Sequence, residues 1–254
     1  MTRLSVNLNK VALLRNSRTI GIPSVLRAAE LCVGAGAHGI TVHPRPDHRH
    51  IRPSDIYDLS DFLKHYPQIE FNIEGNPFPE FLEMVRRVKP VQCTLVPDGP
   101  YAITSDHGWD LAEEGQRLEP IIAELHDLGA RVSIFMDADS NQWGKARELG
   151  ADRVELYTQP YAEAFARNDF DKLFEKYAVA ANAAQSAGLG VNAGHDLNLQ
   201  NLGKFCEIPR ILEVSIGHAL VADALEMGLT DAVRAYIEAL TNAEREKKPW
   251  MNPN

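Results

Sequence analysis

Eight short runs rich in β-branched and aromatic residues recur along this chain, separated by stretches with helical spacing. The runs fall at 3–9 (RLSVNLN), 39–44 (GITVHP), 68–75 (QIEFNIEG) and 91–97 (VQCTLVP), then at 131–138 (RVSIFMDA), 153–158 (RVELYT), 190–195 (GVNAGH) and 212–218 (LEVSIGH). Between them lie patterns such as SVLRAAELCVGAGA at 24–37 and EPIIAELHDLGA at 119–130, several ending in Gly-Ala just before the next run. A glycine there caps a helix in the left-handed region and turns the chain back toward a sheet. Strands that alternate with helices build a parallel sheet. Eight of them in 254 residues favour a closed (β/α)8 TIM barrel, an α/β fold, over an open doubly wound sheet. Nothing of low complexity divides the chain, so 1–254 reads as a single domain with extra short helices, and 246–254 as a polar C-terminal tail.

The charge balance narrows the function. A formal net charge of −9 leaves no basic footprint for nucleic acid or a membrane surface. An anionic small molecule remains compatible with it, because a local cluster of donors matters more than the total. Cys32, Cys93 and Cys206 are widely spaced and form no CxxC pair. That argues against a disulfide framework or a thiolate zinc site and places the protein in a reducing cytoplasm. No apolar run approaches the ~18 residues of a membrane span. GAGAHG at 34–39 ends a helix and precedes a strand, the wrong context for a dinucleotide site.

Barrel enzymes carry their chemistry at the C-terminal ends of the strands, so the polar residues there are the test. The first run ends in Asn7 and Asn9, with Lys10, Arg15 and Arg18 beyond. The second leads into His43, Arg45, His48, Arg49 and His50. Glu74 lies in the third run, Thr104 in the loop after the fourth, Glu155 in the sixth, His195 at the end of the seventh and Gly217-His218 at the end of the eighth. Five of the nine histidines fall at these ends. Taken singly, each has an ordinary reading. His43 could be satisfied by a backbone carbonyl, Glu74 and Glu155 by ion pairs to neighbouring strands, and Ala193-Gly194 could merely make a tight turn before His195. His48 and Arg49 read as solvated loop residues. As a set at one rim, two histidines and two carboxylates make general acid–base machinery.

The segment SIGHALVADALEMG at 215–228 adds an anion site. A strand ending in Gly-His runs into a short apolar helix, whose free N–H groups and dipole suit a phosphate. Arg45, Arg18 and His50 supply donors for a second anion. Two anion sites at one mouth point to two phosphorylated ligands or one bisphosphate. A HRH tripeptide in a loop is a weak metal cue, and no metal is assigned.

The motifs VNLNKVALLRNSR, GITVHPRPDHRHI, FNIEGN, TLVPD, SIFMDAD, VELYT, VNAGHDLN and IGHALVADALEMGL, in this order, resemble the pyridoxine 5′-phosphate synthase family along nearly the whole chain. The resemblance implies condensation of 1-deoxy-D-xylulose 5-phosphate with 3-amino-2-oxopropyl phosphate. The pyridine ring of vitamin B6 is closed with release of phosphate and water, without metal or organic cofactor. It implies His43 and Glu74 as proton acceptors, His195 as proton donor and Glu155 as the carboxylate that stabilises a transition state. It further implies Arg45, His50 and Thr104 on the deoxyxylulose phosphate, and Asn7, Arg18 and Gly217-His218 on the aminooxopropyl phosphate. Assembly of dimers into an octamer is implied as well, with the helix carrying Arg27, Glu30 and Cys32 a candidate contributor.

Three departures from the commoner family pattern stand out. Asn9-Lys10 replaces Asp-His, HPRPD replaces HLRED, and Asp196 stands where a glycine usually follows the histidine. Lys10 brings a fixed charge in place of a titratable ring, and pairing between Lys10 and Asp196 would keep that carboxylate from repelling a ligand. The 98–109 segment is a candidate lid. A phosphosugar aldolase or isomerase on the same barrel, or a non-catalytic binder of phosphorylated ligands, are the competing readings. Neither Lys10 nor Lys204 sits inside a late strand, where a Schiff-base lysine belongs.

Overall fold

The computed structural model describes residues 1–102 and 104–246. Eight parallel strands close into one barrel in sequence order, β1 (Arg3–Asn7), β2 (Gly39–Val42), β3 (Glu70–Gly75), β4 (Gln92–Leu95), β5 (Arg131–Met136), β6 (Arg153–Tyr157), β7 (Gly190–Gly194) and β8 (Ile211–Ile216), with β8 pairing back onto β1. Helices α1 (Asn9–Asn16) and α2 (Val25–Ala35) follow β1, and α3 (Pro53–Leu63), α4 (Pro79–Val88), α5 (Leu111–Asp127) and α6 (Trp143–Glu148) follow the next four strands. Helices α7 (Gln159–Ala166) and α8 (Asp171–Ser186) lie after β6 and α9 (Leu202–Phe205) after β7. Helices α10 (His218–Met227) and α11 (Leu229–Glu246) close the chain.

The strands stop one or two residues before the ends of most of the runs read from sequence. Pairing ends at Asn7, Val42 and Gly194, so Asn9, His43 and His195 stand beyond the ladder, at its upper rim. The Gly-Ala caps hold, with φ of 102°, 85° and 99° at Gly36, Gly129 and Gly150. Ser24 caps α2 by accepting from the Arg27 N–H. Helix α5 begins eight residues before the 119–130 segment (111 against 119). Pro120 therefore lies inside the helix, on an exposed face. Of the 246–254 tail, Glu246 still belongs to α11, and 247–254 lie outside the described residues.

Parallel strands buried on both faces usually read as continuous apolar runs. These alternate instead, and the structure gives the reason. Leu4, Val6, Ile40, Val42, Phe71, Ile73, Val132, Ile134, Val154 and Leu156 pack outward against the helices in one continuous core. The intervening residues point into the barrel and, Phe135 and the glycines apart, are mostly polar. In the lower barrel Glu70 pairs with Arg3 and Arg131, and Arg153 lies 3.8 Å from Glu213. Above them Ser5 meets Thr41 at 2.7 Å, while Asn72 donates to Thr41 and accepts from Thr94. The lower and middle lumen is thus held largely by ion pairs and hydrogen bonds, where most such barrels use Val, Ile and Leu. No described helix is long and apolar enough to cross a membrane.

Candidate active site

A cavity of about 770 Å³ opens at the C-terminal end of the barrel. Its wall carries His43, Glu74, Glu155 and His195, from four different strands, together with Asn7, Asn9, Lys10, Arg45, His50, Thr104, Asp196, Gly217 and His218. Arg18 is the one sequence candidate not on this wall. Helix α1 ends at Asn16, and the following turn leaves Arg18 exposed. The buried arginine of that helix is Arg15, whose guanidinium pairs with Asp55 and donates to the His50 carbonyl at 3.1 Å. It braces the His50 loop from behind.

The two carboxylates are neither exposed nor ion-paired. Glu74 accepts weakly from three neutral donors, Asn7 Nδ2, Asn72 Nδ2 and Ser215 Oγ, each at 3.4 Å. Burial pushes its pKa up to about 8, with Glu213 and Asp98 adding repulsion against the help of Ser215 and Arg45. Burial also raises Glu155 well above the usual carboxylate range, with Glu74 and Glu213 adding to it. Its Oε2 is buried without a hydrogen-bond partner among the described residues. The inter-strand ion pairs that might have claimed these residues are made lower in the barrel, by Glu70 and Glu213. Gly194 is required here for a reason separate from turning. A Cβ on it would stand 2.3 Å from Glu155 Oε1, so the bare backbone of β7 makes room for the carboxylate.

Burial pushes His43, His50 and His195 below the ordinary histidine value. Burial, then Arg45, His50, His195 and Arg49, keep His43 well below its ordinary value. Its backbone N–H donates to Asn9 Oδ1 at 2.9 Å, a role that needs an oxygen and not a charge. That explains how Asn9 serves in place of an aspartate. His50 accepts the Ile51 N–H on Nδ1 at 2.9 Å, which leaves Nε2 as the protonated nitrogen of the neutral ring. Burial and the neighbouring Arg45 and Arg49 bring its pKa down to about 4. His195 sits between Phe135 and Tyr157, with ring centroids 5.4 Å from each. Burial lowers its pKa, opposed by Asp196 and Asp98.

His195 and Asp196 both have positive φ, 87° and 57°. Two consecutive non-glycine residues in that region store strain, which aspartate tolerates better than most residues. The turn is pinned by Thr158 Oγ1, donating to the carbonyls of Gly194 and His195, and by Asn201 Nδ2, donating to that of Asp196. Lys10 and Asp196 share the cavity wall, but the pairing between them is not made: among the described residues neither enters an ion pair. The Asp196 carboxylate is spent instead near His195, whose pKa it raises.

Gly217 precedes α10 without any side-chain cap, so the first N–H groups of that helix face the mouth unsatisfied by the helix itself. A Cβ at Gly217 would lie 3.1 Å from Asn7 Cβ, which fixes how closely β8 passes β1. Lys10, His50 and Arg49 line the same opening. Among the described residues no cluster of three or more His, Cys, Asp or Glu side chains is placed to hold a metal ion. Cys32 is fully buried in the core, so of the three α2 residues named for assembly only Arg27 and Glu30, paired at 2.7 Å, reach the surface.

One charged residue escaped the sequence reading. Asp98, there the last letter of TLVPD and the first residue of the 98–109 segment with no role of its own, is buried beside Arg45, whose Nη2 donates to its Oδ2 at 2.6 Å. The same oxygen lies 3.9 Å from His43 Nε2. A carboxylate directly after an apolar strand was the available signal.

Comparison with known proteins identifies the family. Residues 4–242 match the family model described as pyridoxal phosphate biosynthesis protein PdxJ. The pyridoxine 5′-phosphate synthase of Albidiferax ferrireducens is 54% identical over 245 residues, covering 94% of this chain and 97% of that protein. That of Xanthomonas campestris pv. campestris is 54% identical over 244 residues, covering 93% and 95%. Among solved structures, phosphoribosyl anthranilate isomerase from Thermotoga maritima aligns with a TM-score of 0.60 at 16% identity, covering 95% of this chain and all of that one. A structure described as native KDPGal aligns at 0.62 and 12%, covering 95% and 96%. At such identities these two speak for the barrel fold alone. With both its length and its identity to these synthases accounted for, the chain belongs to the PdxJ family.

Proposed function

We propose that the chain is a pyridoxine 5′-phosphate synthase, joining 1-deoxy-D-xylulose 5-phosphate to 3-amino-2-oxopropyl phosphate and releasing inorganic phosphate and water. The observation that carries the reading is the convergence of His43, Glu74, Glu155 and His195 on one cavity beside a capless helix N-terminus and Arg45. Condensing an amine with a ketone, dehydrating and closing a ring requires repeated proton transfers at neighbouring atoms. His43, neutral at rest, accepts the first proton. Glu74, with its pKa near neutrality, accepts another once ionised. His195 is the donor. Its lowered pKa works against that role in the empty site, and a bound phosphate dianion pulls it back up. Glu155, held protonated beside Glu74, supplies a hydrogen bond to charge that develops in the transition state.

The α10 terminus and Asn7 hold one phosphate, and Arg45, His50 and Thr104 the other. Lys10 adds a fixed charge between them. Arg18 joins this assignment by family likeness and not by its position in the single chain. No metal or organic cofactor has a part in these steps. We read the chain as a homo-oligomer, supported by the exposed apolar residues Leu13, Leu14, Ile20 and Ile22 around the segment after β1. The family likeness favours an octamer of dimers, which size-exclusion chromatography with light scattering would test.

Incubation with both substrates and fluorescence detection of a pyridinol product tests the function. Ligand protection against heat without product would favour a binding protein. A borohydride-trapped imine would favour an aldolase.

A further inference from the structure

Arg45 and His43 have roles in the proposed chemistry, but the buried carboxylate between them has none. Asp98 is 3% exposed. Its Oδ2 accepts from Arg45 Nη2 at 2.6 Å and from Ser105 Oγ at 2.5 Å. Arg45 Nη1 donates in turn to the Ala102 carbonyl at 2.9 Å. Both terminal nitrogens of one guanidinium are thus tied to a single segment of the chain, and Ser105 ties that segment's far side to the same carboxylate. Thr104 lies between the two ties, exposed and on the cavity wall.

A buried ion pair is a poor device for stability alone, because desolvation cancels most of the attraction. As a device for orientation it is effective, since a planar guanidinium with two nitrogens fixed has its remaining N–H groups aimed by geometry. We propose that Asp98 is a positioning residue, which aims the Arg45 guanidinium at a substrate phosphate and fastens the Thr104-bearing segment beside it. The inference rests on the synthase reading for the identity of the phosphate, and not for the geometry. Asp98 also faces the acid–base groups. Its charge weighs on Glu74, alongside Glu213, Glu155 and Arg45, and on His195, alongside Asp196, Arg45 and Lys10.

The test uses the full chain and the variants Asp98→Asn, Asp98→Glu and Ser105→Ala, with two readouts. The first is steady-state kinetics with pH profiles. The second is chymotryptic cleavage after Tyr101, which is 91% exposed in the fastened segment. Asp98→Asn should raise KM for the phosphorylated ketose roughly tenfold with little change in kcat, and should speed cleavage. Removing an anion makes Glu74 easier to ionise and His195 harder to protonate, so both limbs of the pH profile should move to lower pH. Asp98→Glu should return the limbs. Ser105→Ala should speed cleavage and leave the limbs in place. Asp98→Asn with wild-type KM and wild-type cleavage overturns the proposal, and so do unmoved limbs. Where Asp98→Asn does not fold, Ser105→Ala decides: wild-type cleavage rejects the fastening. If the wild type makes no product, the synthase reading falls while this one is still tested. Inorganic phosphate should protect the Tyr101 bond in the wild type and not in Asp98→Asn, and equal protection in both rejects it.

Discussion

Replacing Glu74 by glutamine should make this protein more stable and nearly inactive, and the stability gain should grow with pH. The carboxyl is buried, has no cationic partner in hydrogen-bond contact, and ionises at about 8 instead of the ordinary 4.5. In the unfolded chain it is charged at pH 7, whereas in the fold it keeps its proton. Folding therefore costs the proton uptake across about 2.5 pH units, about 3 kcal/mol at pH 7. The sign follows from the raised pKa. The penalty is absent below about pH 4.5, grows by roughly 1.4 kcal/mol per pH unit up to about 8, and levels off above it. Glutamine keeps the shape and the hydrogen-bonding capacity but has nothing to ionise. Urea unfolding of wild type and variant at pH 5, 6, 7 and 8 should show a gap that widens with pH, and melting at pH 7 should rise by roughly 6–12 °C. Turnover should fall by about 10²- to 10⁴-fold as the proton acceptor is lost. A gap that stays flat across this range, or a variant that melts below the wild type at pH 8, would refute the claim that burial holds this proton in place.

Gly194→Ala drives a methyl group to 2.3 Å from Glu155 Oε1, so turnover should drop about 100-fold, with a stability cost of about 1–3 kcal/mol visible in denaturant titration. Asp196→Gly relieves a side chain held at φ 57° and removes an anion from the mouth. It should raise stability by about 0.5–1 kcal/mol and lower KM for the phosphorylated substrates, and a fall in melting temperature would count against the strain argument. Carboxyl infrared absorption of the free wild type, minus that of Glu74→Gln, should show Glu74 ionising near pH 8, and a carboxyl already ionised at pH 6 rules out the raised pKa.

The barrel was legible because eight β-rich runs cannot alternate with helices in so short a chain and pair in any simpler way. The candidate site was legible because the closing residues of a run fall just past the ladder, as His43 and His195 do. What stayed hidden depends on register and direction. Glu74 looked open to a salt bridge, but the arginines of the lumen come at the other end of their strands and meet Glu70 and Glu213. Asp98 was given no role, because its partner Arg45 lies 53 positions away and reaches it only through the pairing of β2, β3 and β4. Arg18 looked like a rim donor because sequence order cannot say where α1 sends the chain. Gly194 looked like part of a tight turn, and the neighbour it accommodates is Glu155.

The alternation along each strand separates two trades that most barrels mix. Cohesion comes from the jacket between sheet and helices, and the lumen is left free to answer to chemistry. Random mutagenesis selected for heat tolerance should gather its hits in the jacket, while selection for a new substrate should gather them among inward-facing positions. Improvements from the two campaigns should combine with little interference, because few residues belong to both layers.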